Sequence, residues 1–487
     1  MPAPRRDRII QSRSGRHFFA KDMKHSEYGT PVKIAYIGGG SLNWALNLMS
    51  DLAHDTRLAA EVRLFDIDRA AADRNERIGA RFADVSRGTP ARYQAVDRIE
   101  HALDQADVVV ISILPGRFAD MANDIAIPAR YGVPQAVGDT VGPGGFIRAL
   151  RAVPIFLEIG AAIRDHAPNA FVCNLTNPMS VLTGALYRAF PDIRCWGECH
   201  EVTKIRKIAA WIANRDAGED LWEFRDIAVN VLGINHFTFV DSITLAGRDM
   251  MPAYGKLAAD HANIGWRERE PSPDDEHARY FEDRNRVKFD LLNRFGIAAA
   301  AGDRHLAEFL PAGEYLKSHA DWDFALTPVE FRIRHQDQRR RRAEDLANGR
   351  TAPVAGRSDE ALIDQIAALM GQGKHISNVN LPNRGQMDGL DTDAIVETNA
   401  VFLKGRIVPV NAGRLPPELE KIVLDHSRRQ TQLLAAIADA DYGGLTPLFC
   451  SDPLVRDLTE RDAHAMFREM ISSTAHLLPH GLAVEAA

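Results

Sequence analysis

Apolar runs of strand length alternate with helical patterns over the first two hundred residues of the chain. The runs occupy residues 32–40, 61–68, 107–113, 171–176 and 193–198. Helical patterns extend from Asn43 to about His54, over Gly145–Asp165 and over Met179–Phe190. Because the apolar runs are rich in Val and Ile at successive positions, they are typical of strands buried on both faces. The alternation predicts a doubly wound α/β fold with a parallel sheet.

The pattern changes after about residue 225. Residues 226–249 predict two strands joined by a turn near Gly233–Asn235, which is more typical of an α+β domain. The charged run RIRHQDQRRRRAED at 332–345 predicts a solvated helix face or a loop. Long helical patterns at 416–441 and 456–477 complete the chain.

These changes predict three parts. We expect a disordered leader at residues 1–30, a doubly wound domain at 31–200 and an α+β domain at 201–487. The leader is basic and polar and lacks the apolar core of a secretory signal.

The composition indicates which partners and which cellular compartment the sequence favours. The 487 residues carry a net charge of −7, which favours neither nucleic acid nor an anionic membrane as a partner. No stretch has the roughly 18 apolar residues of a membrane helix. Four cysteines in so long a chain do not indicate a disulfide framework. We expect a cytoplasmic protein with reduced thiols.

A glycine-rich turn closes the first apolar run and opens the first helical pattern. It consists of Gly38, Gly39, Gly40 and Ser41. Such a turn lets the backbone approach a pyrophosphate at a helix N-terminus, and Asp66 at the end of the second run suits a ribose hydroxyl. We therefore expect a Rossmann-like domain that binds NAD, because Asp66 would repel the 2′-phosphate of NADP. Tight packing without a ligand is the alternative.

Several motifs in order resemble glycoside hydrolase family 4, the NAD- and metal-dependent glycosidases. They are GGGS, DTVGPGGFIRALR, CNLTNPMSV, CHEV, GINHF, GDRHLAEF and NRGQMDGLDTDAIVE, and they extend over roughly residues 32–480. The resemblance implies a C-terminal α+β domain similar to that of lactate and malate dehydrogenases, which binds substrate and metal and forms a homodimer or homotetramer.

The resemblance also implies a metal site. The family's metal ligands correspond to Cys199 and His236, with Mn²⁺ as the ion and sugar hydroxyls and water completing its coordination. Ligand softness alone would favour zinc for a thiolate and an imidazole. A buried thiol and a core histidine are the structural alternatives.

The implied chemistry differs from that of ordinary glycosidases. NAD⁺ oxidises C3 of the sugar, a base removes the acidified C2 proton, the aglycone leaves C1, and water adds before the steps reverse. By motif position Asp303 is the base and His200 protonates the leaving group. Asp303 could instead cap a helix, His200 could only hydrogen-bond the sugar, and His305 is the next candidate for the base.

Other residues concern the substrate. The resemblance implies that Asn177 contacts sugar hydroxyls, and Arg148 and Arg304 are candidates for an anionic group of the substrate, with structural pairing as the alternative. The CHEV sequence resembles the α-galacturonidase subgroup, which implies a uronide substrate. Alternatives within the family are α-glucuronidase, α-galactosidase and α-glucosidase.

Two rival functions remain open on sequence grounds. A lactate/malate-type dehydrogenase shares the fold expectation but would release NADH and need no Cys/His metal pair. A non-catalytic dinucleotide sensor would bind NAD without metal dependence or sugar turnover.

Overall fold

The computed structural model describes residues 30–272, 274–479 and 481–482. The expected leader, residues 1–30, lies outside the described residues except for Thr30. The strands are β1 (Val32–Ile37), β2 (Ala60–Phe65), β3 (Arg92–Val96), β4 (Val108–Ile111), β5 (Phe171–Asn174), β6 (Arg194–Gly197), β7 (Ile227–Ile234), β8 (Phe237–Leu245), β9 (Arg248–Asp249), β10 (Ala298–Ala299), β11 (His375–Pro382), β12 (Ile395–Leu403) and β13 (Arg406–Pro409).

The α-helices surround these strands. They are α1 (Trp44–His54), α2 (Arg69–Asp84), α3 (Ile99–Leu103), α4 (Phe118–Arg130), α5 (Gly142–His166), α6 (Met179–Ala189), α7 (Thr203–Ala217), α8 (Met251–His261), α9 (Glu276–Phe281), α10 (Arg286–Phe295), α11 (Asp303–Leu306), α12 (Val329–Ala347), α13 (Leu362–Leu369), α14 (Pro417–Ala438), α15 (Leu445–Cys450) and α16 (Glu460–Thr474). None of the described helices is both long enough and apolar enough to cross a bilayer.

The first six strands form the parallel part of a nine-stranded sheet, in the order β3-β2-β1-β4-β5-β6. This is the strand order of a dinucleotide-binding doubly wound sheet, whose order reverses between β1 and β4. The central strands β4 and β5 are buried on both faces, as their apolar sequences require, while β3 at the edge has exposed residues. The expected fold class is confirmed, and the sheet has its ligand crevice at the carboxyl ends of β1 and β4.

The last quarter of the chain extends this same sheet. Strand β11 pairs antiparallel with β6 through Asn380 and Gly197, and β12 and β13 follow antiparallel. These strands carry buried polar residues among their apolar ones, including Asn378 and Glu397. They therefore place polar side chains beside the carboxyl end of β6.

A smaller antiparallel sheet has the order β10-β8-β7, with β9 paired to β8. The two-residue loop Asn235–His236 joins β7 to β8, next to the expected turn. His236 has φ +66°, in the left-handed region that non-glycine residues rarely adopt. The hairpin thus holds the His236 imidazole at its tip, where β7 also contacts β12 of the large sheet.

The charged run lies on helix α12. Arginines 339–342 are exposed, which agrees with a solvated helix face, while Ala343 and Leu346 pack into the core of the doubly wound half. The helix contacts α2 and α4. Arg332, at its first turn, differs from the rest of the run because its Nε atom is buried.

Candidate active site

The glycine-rich turn lies where β1 meets β4. A Cβ on Gly38, which has φ +91°, would lie 2.0 Å from the Ser112 carbonyl oxygen. A Cβ on Gly40 would lie 2.5 Å from the Ala71 Cβ. Both positions therefore require glycine for packing alone, and the same lack of side chains leaves the backbone open to a ligand in the crevice.

Asp66 anchors the turn from the end of β2. One carboxylate oxygen accepts the Gly40 N–H at 2.9 Å and the other accepts the Asp68 N–H at 2.9 Å. The Asn75 amide donates to the carbonyl oxygens of Gly39 and Ser41 at 2.8 and 2.9 Å. Because Asp66 is only half-buried, its carboxylate keeps an exposed side with acceptor capacity for a ribose hydroxyl.

Helix α1 begins at this turn. The Ser41 hydroxyl accepts the Trp44 N–H at 3.1 Å, which fixes the direction of the helix. The remaining first-turn N–H groups and the helix dipole favour an anion there. The turn, Asp66 and the helix N-terminus together form the arrangement that binds the phosphates and ribose of a dinucleotide.

A second group of polar side chains could hold a metal ion. Asp139, His236 and His305 each offer a ligand atom, and these atoms lie within 4.8 Å of one another. The two imidazole rings are 3.9 Å apart between centroids. The three residues come from the loop before α5, from the β7–β8 hairpin and from α11, so the tertiary fold alone brings them together.

Hydrogen bonds through Thr140 determine which nitrogen of His236 is free. The Thr140 hydroxyl lies 2.8 Å from the Asp139 carboxylate and 2.8 Å from His236 Nδ1. Because the hydroxyl has one proton, donation to the carboxylate means that it accepts from Nδ1–H. His236 Nε2 then carries the lone pair, which is the tautomer required for metal ligation.

The charges of this group also suit a cation. Burial lowers the pKa of His236 and lowers that of His305 well below its ordinary value, so both imidazoles are neutral at pH 7. Burial would raise the pKa of Asp139, but His236, Arg148 and further neighbours hold it well below its ordinary value. The group therefore offers one carboxylate and two neutral imidazoles. His305 Nδ1 is buried and has no hydrogen-bond partner in the described chain.

Cys199 follows β6 and is buried, outside the group of three. Burial, Glu397 and Glu201 raise the pKa of its thiol well above the ordinary value, while a hydrogen bond from Asn235 lowers it. The Asn378 amide donates to the Cys199 carbonyl oxygen at 3.2 Å and to Glu397 at 2.8 Å. Since Asn235 adjoins His236 in the hairpin, the two expected ligands approach the same end of the sheet.

His200 links the dinucleotide turn to the second group. Its Nδ1 lies 3.2 Å from a Glu360 oxygen, and its ring centroid is 5.8 Å from that of Trp44. Burial opposes protonation, but Glu360 and then Glu201 raise the pKa of His200 above its ordinary value. A protonated imidazole that remains 43% exposed can donate a proton to a ligand in the site.

Glu201 contacts several of these residues. Its carboxylate accepts the Gly302 N–H at 3.0 Å and pairs with Lys204 at 3.0 Å. It also lies 3.9 Å from His200 Nε2 and 3.8 Å from His305 Nε2. It therefore holds the loop before α11 next to the start of α7.

Asp303 begins α11 and is fully buried. Its two oxygens accept the N–H groups of Val287 and Lys288, at 3.1 and 3.0 Å, at the start of α10. Burial and then Asp283 raise the pKa of Asp303, against the lowering effect of Lys288. The carboxylate thus caps the start of α10, whereas the structural alternative from the sequence was a cap of the helical segment that follows Asp303 itself. Asp303 is linked along the chain to His305, a member of the group of three that could hold a metal ion.

The expected substrate residues are Asn177, Arg148 and Arg304. Asn177 follows β5; its carbonyl oxygen accepts from Arg148 Nε at 3.0 Å, and its side-chain oxygen is buried without a partner in the described chain. Arg304 donates to the Tyr280 carbonyl oxygen, and its guanidinium carbon lies 4.6 Å from the centroid of Phe281. Both arginines are buried and held by protein contacts.

Sequence reasoning missed part of this arrangement. We name as the charged cluster the residues Asp139, Arg148, Glu201, His236, Arg304, His305 and Arg332, which are linked by the contacts above and by mutual electrostatic effects. Asp139 and Glu201 lie within motifs that were noted, DTVGPGG and CHEV. Arg332 gave no signal, because it belongs to a run of charges that otherwise faces solvent.

Comparison with known proteins places the chain in a family. The sequence model of the family 4 glycosyl hydrolases matches residues 33–214, and that of the family's C-terminal domain matches residues 231–455. The chain is 42% identical over 450 residues to an α-galacturonidase from Thermoanaerobacter italicus, covering 92% of this chain and 97% of that protein. It is 44% identical over 440 residues to an α-galacturonidase from Bacillus subtilis, covering 90% and 97%.

Solved structures agree with this assignment. The crystal structure of the lplD protein from Bacillus subtilis superposes with a TM-score of 0.86 at 44% identity, covering 90% of this chain and 99% of that one. A 6-phospho-α-glucosidase from gut microorganisms, solved in complex with NAD and Mn²⁺, superposes with a TM-score of 0.74 at 20% identity, covering 92% and 99%. The latter likeness concerns the fold. The resemblance found in the sequence motifs is confirmed, and the chain belongs to family 4 of the glycosyl hydrolases.

Proposed function

We propose that this enzyme is an α-galacturonidase that uses bound NAD and a divalent metal ion, Mn²⁺, to cleave α-linked galacturonides. The observation that carries the proposal is the identity of 40–44% with four proteins named α-galacturonidase, over 90–92% of the chain. Two α-galactosidases and an α-glucosidase are more distant, at 26–28% identity. The arginines of the charged cluster agree with an anionic sugar.

The cofactor sites fit the residues present. The turn at Gly38, Gly39, Gly40 and Ser41, with Asp66, suits the pyrophosphate and ribose of NAD. His236 suits a metal ion together with Cys199, as the family resemblance implies. Asp139 would add an oxygen ligand, which makes the donor set better suited to Mn²⁺ than a thiolate and an imidazole alone. When bound, NAD⁺ and the metal supply oxidation at the sugar C3 and Lewis-acid polarisation of the resulting ketone.

His200 is proposed as the acid for the leaving group. Glu360 raises the pKa of His200 above its ordinary value, which favours the protonated form, and a Glu360 oxygen lies 3.2 Å from its Nδ1. The other ring nitrogen is then the proton donor to the departing glycosidic oxygen. Asn177 is proposed to bind a sugar hydroxyl, since its buried side-chain oxygen has no partner among the described residues.

Asp303 is proposed as the base that removes the C2 proton, on its motif position. Its raised pKa would make the carboxylate a stronger base than an ordinary aspartate. Its hydrogen bonds to the start of α10 oppose this role, because they occupy both oxygens. His305 is the competing candidate, since its neutral imidazole lies in the metal-capable group with Nδ1 unpartnered.

Arg148 and Arg304 remain proposed contacts for the substrate's anionic group. Both belong to the charged cluster and are buried, with 9% and 4% of their surface exposed. The homodimer or homotetramer and the cytoplasmic location are proposed as well. All four cysteines are unpaired, which agrees with a reducing compartment. Light scattering coupled to gel filtration measures the subunit number directly.

The activity is tested with a panel of p-nitrophenyl glycosides in the presence of NAD⁺, Mn²⁺ and a thiol reductant. We expect the α-galacturonide to be hydrolysed fastest, ahead of the α-glucuronide, α-galactoside and α-glucoside. Nitrophenolate release should proceed without net formation of NADH, because the cofactor is regenerated in each cycle. Net accumulation of NADH would favour a dehydrogenase, and a faster reaction with the galactoside would contradict the uronide assignment.

A further inference from the structure

Arg332 is the member of the charged cluster whose guanidinium lacks a fixed partner. It lies in the first turn of α12, and its Nε atom is buried without a hydrogen-bond partner in the described chain. No hydrogen bond or ion pair of its guanidinium is found within the described residues. Arg332 as a whole is half-buried, but a buried guanidinium nitrogen normally donates to an anion or to another acceptor. We therefore expect a ligand to pair with the Arg332 guanidinium.

The surroundings of Arg332 carry an excess of positive charge. Its charge acts on Asp139, Arg304 and Arg148. Asp139 is the ionised carboxylate among these neighbours. Glu308 also faces this region, but it accepts the N–H groups of Val137 and Gly138. Asp139 is thus the ionised carboxylate whose charge acts on all three guanidinium groups, while Arg304 also faces the ionised Glu201. This sharing favours an anionic ligand beside Arg332.

The other two arginines of the cluster are committed to protein contacts. Arg148 Nε donates to the Asn177 carbonyl oxygen, which fixes its position beside the β5–α6 loop. One terminal nitrogen of Arg304 donates to the Tyr280 carbonyl oxygen and its guanidinium stacks on a ring of α9, although its Nε is also buried without a partner in the described chain. Arg332 keeps its donors available, and a guanidinium fork binds a carboxylate through two parallel hydrogen bonds.

The first turn of α12 is held in place by aromatic packing. The Phe331 ring lies 4.9 Å from that of Tyr280, 5.8 Å from that of Phe281 and 4.2 Å from that of His335. Phe331 is buried. Because Phe331 precedes Arg332 directly, this packing fixes the start of the Arg332 side chain, so that less freedom is lost when a ligand binds.

We propose that Arg332 binds the C5 carboxylate of the uronide and so determines that this enzyme acts on an acidic sugar. The proposal rests on the proposed galacturonidase function and adds to it the residue that distinguishes the acid from the neutral sugar. Arg332 lies outside the family motifs, near the N-terminal end of the charged run of α12. The exposed arginines further along the helix have no such role.

The test compares two substrates that differ in one group. The wild-type enzyme and Arg332→Gln are assayed for kcat/KM on p-nitrophenyl α-D-galacturonide and p-nitrophenyl α-D-galactoside, with NAD⁺ and Mn²⁺ saturating. We expect the substitution to lower kcat/KM for the galacturonide by about 100-fold, mainly through KM, and to leave or improve the galactoside rate. Arg341→Gln, which alters an exposed arginine of the same helix, is the matched control and should change neither rate.

Arg332→Lys provides a second variant that preserves the charge but not the fork. It should show a smaller loss on the galacturonide alone. A proportional loss on both substrates in either variant, or an unchanged ratio between them, would overturn the assignment of Arg332. A wild-type enzyme that prefers the galactoside would overturn the proposed function itself. If Arg332→Gln does not fold, the Arg332→Lys ratio and calorimetric binding of galacturonate against galactose decide the question.

Discussion

The dinucleotide turn and the charged cluster lie at the same end of the large sheet, but their polar groups are partnered differently. In the turn, both oxygens of Asp66 and the amide nitrogen of Asn75 have backbone partners within one βαβ unit, although Asn75 Oδ1 is buried without a partner in the described chain. In the charged cluster, His305 Nδ1 and the Nε atoms of Arg304 and Arg332 are buried without partners in the described chain.

This difference indicates different relations to ligands. The turn is stabilised by its own hydrogen bonds and has its binding shape before any cofactor arrives. The charged cluster keeps buried donors and acceptors unsatisfied, which costs free energy unless ligands satisfy them. We infer that the cluster is completed by metal and substrate, so its residues should affect catalysis more than folding, while changes in the turn should affect cofactor binding selectively.

The largest effect is expected from the metal site. Cys199→Ser should remove high-affinity metal binding and lower turnover by more than about 100-fold, since loss even of residues that support metal ligands costs 10–100-fold. Metal content is measured after gel filtration with Mn²⁺, and activity is measured alongside.

Cys195→Ser is the matched control, because Cys195 is a buried thiol of β6 only four positions earlier. It should retain both metal and activity. Retention of wild-type metal affinity in Cys199→Ser would show that Cys199 is a core thiol, and Asp139 and His305 would then be the ligands that accompany His236.

A large effect is also expected at Asp303, where two roles can be separated. Asp303→Asn should lose turnover by about 100-fold if the carboxylate is the base. It should also lose some stability, because an amide cannot accept both N–H groups at the start of α10. Urea unfolding measures the loss of stability, and turnover per folded enzyme measures the loss of catalysis. Full turnover in a destabilised Asp303→Asn would leave only the capping role, and His305→Gln would then be expected to lose the activity.

A smaller and more selective effect is expected in the turn. Asp66→Ala removes the ribose acceptor and leaves the Gly40 N–H without its partner. NAD⁺ binding should weaken by about 10-fold or more, in line with a charge-assisted hydrogen bond, while metal affinity stays unchanged. Fluorescence titration with NAD⁺ measures the affinity, and NADP⁺ should be the poorer cofactor of the wild-type enzyme. Equal losses of NAD⁺ and Mn²⁺ affinity would show that the two regions are not independent.

The smallest effect on catalysis is expected at His426, a buried imidazole that has a fixed partner and so contrasts with His305. Its Nε2 donates to the Phe309 carbonyl oxygen at 2.7 Å, and burial lowers its pKa from 6.5 to about 3. Between about pH 6.5 and 3 the unfolded chain binds a proton at His426 and the folded chain does not. The contribution of the neutral His426 to the free energy of unfolding is therefore fully present above pH 6.5 and is lost as the pH falls toward 3.

His426→Gln tests this imidazole, since glutamine can also donate to the Phe309 carbonyl but does not titrate. The free energy of unfolding should then depend less on pH below 6.5, by up to about 1.4 kcal/mol per pH unit. Urea unfolding at several pH values measures the slope. Hydrolysis at neutral pH should be nearly unchanged, and an unaltered slope would contradict the account of His426.

The two regions also differ in how far the sequence predicted them. The turn and Asp66 lie in one contiguous βαβ unit, so local periodicity and glycine spacing are sufficient to predict that they lie together. Asp139, His236 and His305 come from three distant segments, and only the folded chain brings them within one ion's reach. Family motifs indicated His236 as a metal ligand, but no local sequence pattern shows which other side chains lie next to it in the folded chain.

The sequence pattern did not predict the antiparallel extension of the large sheet, and the reason is physical. Strands β11 and β12 extend the large sheet, but buried polar residues such as Asn378, Asn380 and Glu397 interrupt their apolar pattern. Arg332 was obscured in the same way, because its neighbours in the charged run are exposed. In both cases tertiary contacts, and not local sequence, decide which polar residues are buried.

Cleavage is proposed to proceed through removal of the C2 proton at the site formed by the turn and the charged cluster. The most direct measurement is the hydrolysis of an α-galacturonide in deuterium oxide with NAD⁺ and Mn²⁺, followed by mass spectrometry and NMR of the released galacturonate. The account predicts deuterium at C2 of the product. Product that keeps its original hydrogen at C2 throughout turnover would contradict it.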